Sequence, residues 1–179
     1  MSAGETLSLV ACTEQAHATA ILEIFNDEIA NSTAIYEYRP RTARTIEEWF
    51  GEKRAAGFPI VGLVDAAGRL AGFGTYGTFR ARPGYKYTVE HSVYVHKDQR
   101  GRGLGARILG ELIAIARSRD VHVMIGGIDA ANRASIALHE RLGFEHAGTI
   151  REAGFKFGRW LDLAFYQLIL DTPRRPVDG

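Results

Sequence analysis

The chain has 179 residues, which is enough for one domain with a real core and short for two. A net charge of +1 provides no broad basic field for nucleic acid or an anionic membrane surface, and 46% hydrophobic with 24% charged residues is ordinary globular composition. Cys12 is the only cysteine, which excludes an intrachain disulfide and a cysteine metal cluster and fits a reducing, cytoplasmic setting; no apolar run has membrane-spanning length, and Met1 to Thr6 lacks the basic-then-apolar pattern of a secretion signal.

In chain order, Leu7 to Cys12 predicts a short strand. Thr13 then caps a helix with apolar positions at Ala20, Ile21, Ile24, Phe25 and Ile29. Asn31 to Pro40 reads as irregular and carries Tyr36 and Tyr38. Thr45-Ile46-Glu47-Glu48 fits a capping box and opens a second helix toward Ala56. Ile60 to Val64 and Leu70 to Tyr76 form a hairpin around Asp65-Ala66-Ala67-Gly68. Thr88 to His96 is the next strand, and Ala106 to Ser118 a helix with Ile108, Leu109, Leu112, Ile113 and Ala116 on one face. Val121 to Ile128 is nearly continuous in apolar residues, as a buried strand should be. Asn132 caps a last helix that ends at Gly143, Phe155 to Trp160 forms a hairpin or loop, and Leu161 to Leu170 is the final strand. The order β-α-α-β-β-β-α-β-α-β predicts an α/β (α+β) chain built on one mixed sheet with helices on both faces. Residues 1–179 are expected to form a single domain, with a core at about 7–170 and a tail at 171–179 outside it.

The most informative stretch is Gln99-Arg100-Gly101-Arg102-Gly103-Leu104-Gly105, where a strand turns into a helix. Alternating glycines allow positive φ and close approach of a ligand to the main chain. The helix start adds unpaired N–H groups and the positive end of a dipole, so a phosphate is favoured. Gly101-x-Gly103-x-x-Ala106 satisfies a loose dinucleotide fingerprint, but it follows the fourth strand, and Asp120 precedes its strand instead of ending it. No Gly-Lys-Ser/Thr follows, which excludes a P-loop.

Arg100-x-x-Gly103-x-Gly105 resembles the acyl-CoA pyrophosphate loop of the GNAT N-acetyltransferase superfamily. Asn132-Arg133-Ala134-Ser135 and Leu138-His139-Glu140-Arg141-Leu142-Gly143-Phe144 are similar to its second cofactor segment. At closer range the chain resembles the phosphinothricin and methionine sulfoximine acetyltransferase branch, on Thr88-Val89-Glu90-His91-Ser92-Val93-Tyr94-Val95 and Gly154-Phe155-Lys156-Phe157-Gly158-Arg159-Trp160, with weaker support from Ser32-Thr33-Ala34 and Glu48-Trp49. The likeness runs from about residue 7 to residue 170. It implies a GNAT fold, acetyl-CoA as acetyl donor, a small-molecule amine acceptor such as phosphinothricin, methionine sulfoximine or methionine sulfone, a detoxifying role and a homodimer.

Acetyl transfer to an amine needs a base, stabilisation of the developing oxyanion and alignment of both substrates. Glu90 is the candidate base, since a carboxylate in mid-strand calls for a reason. Alternation sets it with Ser92 and Tyr94, opposite Val89, His91 and Val93. The resemblance implies that main-chain groups of Val93, Tyr94 and Val95 meet the acetyl carbonyl and the pantetheine arm. It also implies that Arg100, Gly101, Arg102, Gly103, Leu104, Gly105 and Ala106 cradle the pyrophosphate, and that Asn132 and Ser135 contact the cofactor. His139 stands where many relatives carry a Tyr that protonates the leaving thiolate; a packed histidine is the competing explanation. Arg80 and Arg82 suit a substrate carboxylate, and Glu90, His91 and Ser92 complete the acceptor set, with solvated arginines as the alternative. Tyr36, Tyr76 and Tyr85 are further pocket candidates, equally explicable as packing. Lys156 and Trp160 belong either to a loop near the site or to a subunit contact. His17, His91, His96, His122 and His146 lack metal-ligand spacing, so no metal is expected. The competing functions are acetylation of a protein N-terminus or polyamine, a non-catalytic acyl-CoA sensor, and a nicotinamide enzyme.

Overall fold

In the computed structural model, which describes residues 6–178, the elements follow one another as β1 (Ser8–Ala11), α1 (Glu14–Asn31), α2 (Ala43–Ala55), β2 (Ile60–Val64), β3 (Leu70–Thr78), β4 (Thr88–Val95), α3 (Leu104–Ser118), β5 (Val123–Asp129), α4 (Arg133–Arg141), β6 (Glu145–Lys156) and β7 (Arg159–Ile169). The expectations for Met1 to Glu5 and for Gly179 lie outside the described residues. The strands form one sheet in the order β1-β2-β3-β4-β5-β7-β6, antiparallel throughout except between β4 and β5. Helices cover both faces, as the element pattern predicts. Phe25 and Ile29 of α1 and Phe50 of α2 meet Phe73 of β3 on one side. On the other, Ile108 and Leu112 of α3 and Leu138 of α4 pack with Met124 and Phe144.

The register of the central strands sets the site. β4 pairs with β5 only at Thr88–Glu90 against Val123–Ile125. Beyond that point β4 stays with β3 as far as Val95, and β5 stays with β7 as far as Asp129. The two halves of the sheet therefore part just after Glu90, and the main-chain groups of β4 that face β5 lose their ladder partners. Unpaired backbone groups need a partner of some kind, so this wedge is a ready acceptor of ligand.

α3 closes one side of the wedge. Ile108, Leu109 and Leu112 are fully buried, each contributing about 1.5–3 kcal/mol by leaving water. The helix lies close on β3 because residues 72 and 74 are glycine: a Cβ at Gly74 would stand 2.7 Å from Ile108 and 2.9 Å from Leu112. Gly103 caps α3 in the left-handed region at φ 74°, with no side chain to occupy the first-turn N–H groups.

Several local expectations hold: Thr13 caps α1, Asn132 caps α4, and Gly143 follows the end of α4 at φ 87°. Three change. The capping box of α2 is built by Thr42 as N-cap and Thr45 as its reciprocal partner, so the helix begins at Ala43, ahead of the position read from Thr45. α3 starts at Leu104, two residues before the predicted Ala106. β6 is a seventh strand absent from the predicted order. It is the open edge of the sheet, mostly exposed on both faces, with register shifts at His146/Gly148 and Ile150/Gly154, so it carries no period-two alternation to read. The β6–β7 connection at Phe157–Gly158 is the hairpin expected between Phe155 and Trp160. From Arg174 to Asp178 the tail is exposed, although Tyr87 meets Val177 and Thr172 bonds to Val121.

Candidate active site

Two adjoining clefts occupy the wedge. The larger, about 530 Å³, runs from the parted end of β4 to the glycine loop. Val93, Tyr94, Val95, Arg100, Gly101, Gly103, Leu104, Gly105, Asn132 and Ser135 all border it, ten of the twelve residues expected to hold a cofactor. Arg102 instead engages Gln99, and neither Arg102 nor Ala106 borders the cleft. The residues present fit an acyl-CoA: an uncapped helix N-terminus for phosphate at one end, unpaired strand amides for an extended amide-bearing arm at the other. Arg100 is less available than its sequence position implies, because its guanidinium is bonded to Asp27 and Glu28 of α1.

The smaller cleft, about 280 Å³, lies deeper and shares Val93, Tyr94, Asn132, Ser135, Leu138 and Ala34 with the first. Glu90, His91, Ser92 and His139 converge here. Glu90 opens onto the cleft and has no hydrogen-bond or ion-pair partner among the described residues. Partial loss of water raises its pKa above the ordinary carboxylate value. That makes it a stronger base than an ordinary carboxylate. Its approach to β5 depends on Gly127, where a Cβ would sit 3.2 Å from the carboxylate oxygen.

His91 and His139 form a buried pair. Their rings stack with centroids 5.0 Å apart, and their Nε2 atoms are 3.1 Å apart. His139 Nδ1 lies 2.7 Å from the carbonyl oxygen of Ser135, which can only accept, so Nδ1 carries hydrogen. Burial lowers both pKa values, His91 to about 3, with the His139 charge as the second cause for His91. Both rings are thus neutral, His139 Nε2 is bare, and His91 Nε2 must donate to it. His91 Nδ1 is left buried with no hydrogen-bond partner among the described residues. His139 therefore borders the cleft without an N–H aimed into it. Gly126 makes room for the pair: a Cβ there would lie 2.9 Å from both Nε2 atoms.

The outer wall is the Ser32–Tyr36 segment between α1 and α2, tied down at several points. Thr33 Oγ1 donates to the buried Asp129 at 2.6 Å. Lys156 of β6, itself buried, donates to the carbonyls of Ser32 at 2.7 Å and Ile35 at 2.6 Å, and burial lowers its pKa. The Tyr36 ring packs over Gly154, and its buried hydroxyl has no hydrogen-bond partner among the described residues. Of the three tyrosines considered from sequence, only Tyr36 borders this cleft; Tyr76 is in the core. Tyr85, Arg80 and Arg82 sit together in a separate cleft of about 310 Å³ at the β3–β4 connection, so this chain does not bring the two arginines to Glu90. Trp160 is exposed and meets Phe155 edge to face.

Gly126, Gly127, Asp129 and Thr33 escaped the sequence reading. The glycine pair had a usable signal: glycine inside an otherwise apolar strand marks a close approach. Among the described residues no helix is long and apolar enough to cross a membrane, and no group of three or more His, Cys, Asp or Glu could hold a metal ion.

Comparison with known proteins gives the same direction. The Acetyltransferase (GNAT) family profile matches residues 19–144. An L-methionine sulfoximine/L-methionine sulfone acetyltransferase of Pseudomonas aeruginosa is 49% identical over 154 residues, 86% of this chain and 90% of that protein. A solved structure from Acinetobacter baylyi is 57% identical, covers 100% of both chains and superposes with a TM-score of 0.98. A GNAT superfamily phosphinothricin acetyltransferase from Sinorhizobium meliloti, solved with acetyl-CoA, is 34% identical, covers 97% of this chain and 95% of that one, and has a TM-score of 0.91.

Proposed function

This chain belongs to the GNAT acetyltransferase family and is an acetyl-CoA-dependent N-acetyltransferase, and from that premise we propose that it acetylates the α-amine of a small amino acid-like acceptor of the methionine sulfone, methionine sulfoximine or phosphinothricin kind, a detoxifying reaction. The observation that carries this reading is the junction of the two clefts at the point where β4 leaves β5, with the unpartnered, desolvated Glu90 on the acceptor side.

Acetyl-CoA supplies an activated thioester when bound. Glu90, directly or through one water, takes the proton of the acceptor ammonium so that the amine can attack. Released N–H groups of β4 around Val93–Val95 stabilise the negative charge that develops on the carbonyl oxygen. Gly101, Gly103, Gly105 and the N-terminus of α3 would hold the pyrophosphate, while Asn132 and Ser135 would orient the arm between the clefts. Ser92 and His91 bound the acceptor, with Tyr36 forming part of the wall. His139 acts in the wall through His91. Its Nε2 carries no proton to give, so water is the simpler proton source for the departing thiolate.

We read residues 7–170 as one catalytic domain acting in the cytoplasm, with the lone thiol of Cys12 in accord. We read it also as a homodimer, supported by the exposed aromatic hairpin of Phe155, Phe157 and Trp160. The test is a panel of amine acceptors with acetyl-CoA, reading released CoA. Faster turnover of methionine sulfone, methionine sulfoximine or phosphinothricin than of peptide amines or polyamines is the expected result. The reverse order would replace this acceptor class.

A further inference from the structure

Arg100, at the protein surface, is tied to α1 by two carboxylates. Its Nη2 lies 3.1 Å from Asp27 Oδ2 and 2.8 Å from Glu28 Oε1, and its Nε donates to the Val95 carbonyl at 3.3 Å. Glu28 is the buried member of the pair, at 7% exposure. A buried carboxylate is retained at a cost unless each oxygen is satisfied, and here the second oxygen looks the other way. Ser32 Oγ donates to Glu28 Oε2 at 2.5 Å and accepts from the amide of Ala34 at 3.1 Å. Ser32 and Ile35 are the carbonyls that Lys156 clasps from β6. One carboxylate therefore grips the glycine loop with one oxygen and the acceptor wall with the other, and Ala34 borders both clefts.

We propose that Glu28 is a positioning residue that couples occupancy of the cofactor cleft to the order of the acceptor wall. The inference rests on the reading of the two clefts given above. A pyrophosphate on the glycine loop fixes Arg100, hence Glu28, hence Ser32 and the segment to Tyr36, so an acceptor binding afterwards pays less of the ordering cost. Linkage makes the effect reciprocal: acceptor tightens the cofactor by the same factor. A residue that merely braced the end of α1 would weaken each ligand separately and leave that factor unchanged.

The experiment first measures turnover of methionine sulfone by the wild-type enzyme with acetyl-CoA. Calorimetry then gives the Kd of free CoA with and without saturating methionine sulfone, a pair that cannot react. The wild-type ratio is expected to be about fivefold or more in favour of the ternary complex. Glu28→Gln should bring it to within about twofold of unity. Ser32→Ala, which cuts only the acceptor-side bond and leaves the Arg100–Glu28 pair in place, should do the same and carries the test if Glu28→Gln does not fold. A wild-type ratio of one, or a full wild-type ratio in a folded variant, overturns the inference while turnover stands. Absence of turnover removes the acceptor reading and the inference with it.

Discussion

The cofactor cleft and the acceptor pocket meet at one strand but are built in opposite ways. The cofactor cleft is made largely of main chain: a helix N-terminus, a glycine loop and the unpaired edge of β4, with half of its lining within residues 93–105. The acceptor pocket is made of side chains from many places: Tyr36 between α1 and α2, Glu90 on β4, Asp129 on β5, His139 on α4, with Lys156 of β6 behind. Main-chain recognition tolerates side-chain change, so one donor site can serve a family. A pocket of side chains can be altered residue by residue while the scaffold stays, which is how one fold serves many acceptors.

The largest expected effect tests whether the chemistry belongs to the acceptor side. Glu90→Gln should lower kcat/KM for methionine sulfone by about 10²-fold or more while leaving the Kd of CoA near its wild-type value. In the wild-type enzyme the rate should rise with pH as Glu90 loses its proton, with an inflection above 4.5, because burial raises its pKa. The glutamine variant should lack that inflection. An unchanged profile would move the base elsewhere. Gly126→Ala comes next: its Cβ would press on the Nε2 atoms of His91 and His139, and a packed imidazole pair has little room to yield. A loss of about 1–3 kcal/mol on unfolding is expected, with a higher acceptor KM. Gly103→Val strikes the other region. A β-branched residue at φ 74° costs about 1–2 kcal/mol locally, and a rise of roughly tenfold in the KM for acetyl-CoA should follow with the acceptor KM little moved. If both glycine substitutions shift both constants alike, the two regions are not separable.

The same contrast explains what the sequence reveals. Gly101 to Gly105 is contiguous, lies between two strongly patterned elements, and can be read as a phosphate cradle before any fold is known. Glu90 stands out because a carboxylate sits in the middle of a central strand. The His91–His139 hydrogen bond joins residues 48 positions apart and is set by the crossing of β4 and α4, which no local pattern encodes. The bond from Thr33 to Asp129 spans 96 positions, and that from Lys156 to Ser32 spans 124. Arg80 and Arg82 illustrate the converse. Their chemistry suits a carboxylate, but chemistry without register could not say that they lie in another cleft. β6 failed for the related reason that an open sheet edge leaves no burial pattern in its residues.

The smallest effect concerns stability and follows from the histidine pair alone. His91 is held neutral in the folded protein with its pKa lowered from 6.5 to about 3, and His139 is shifted in the same direction. In the unfolded chain both rings titrate normally, so below pH 6.5 the unfolded state binds protons that the folded state refuses. Stability is thus fully present above that pH and falls as the solution is acidified toward the folded pKa. Between pH 7 and 5.5, His91 should account for about 1 kcal/mol, or roughly 2–4 °C in Tm for a domain of this size. His91→Asn removes the titrating ring and should flatten that part of the curve, even if the variant starts from a lower Tm. The comparison of slopes is the measurement. Equal slopes in wild type and variant would mean that the pair takes up protons without opening, and His139 would then regain its standing as a proton donor to the cleft.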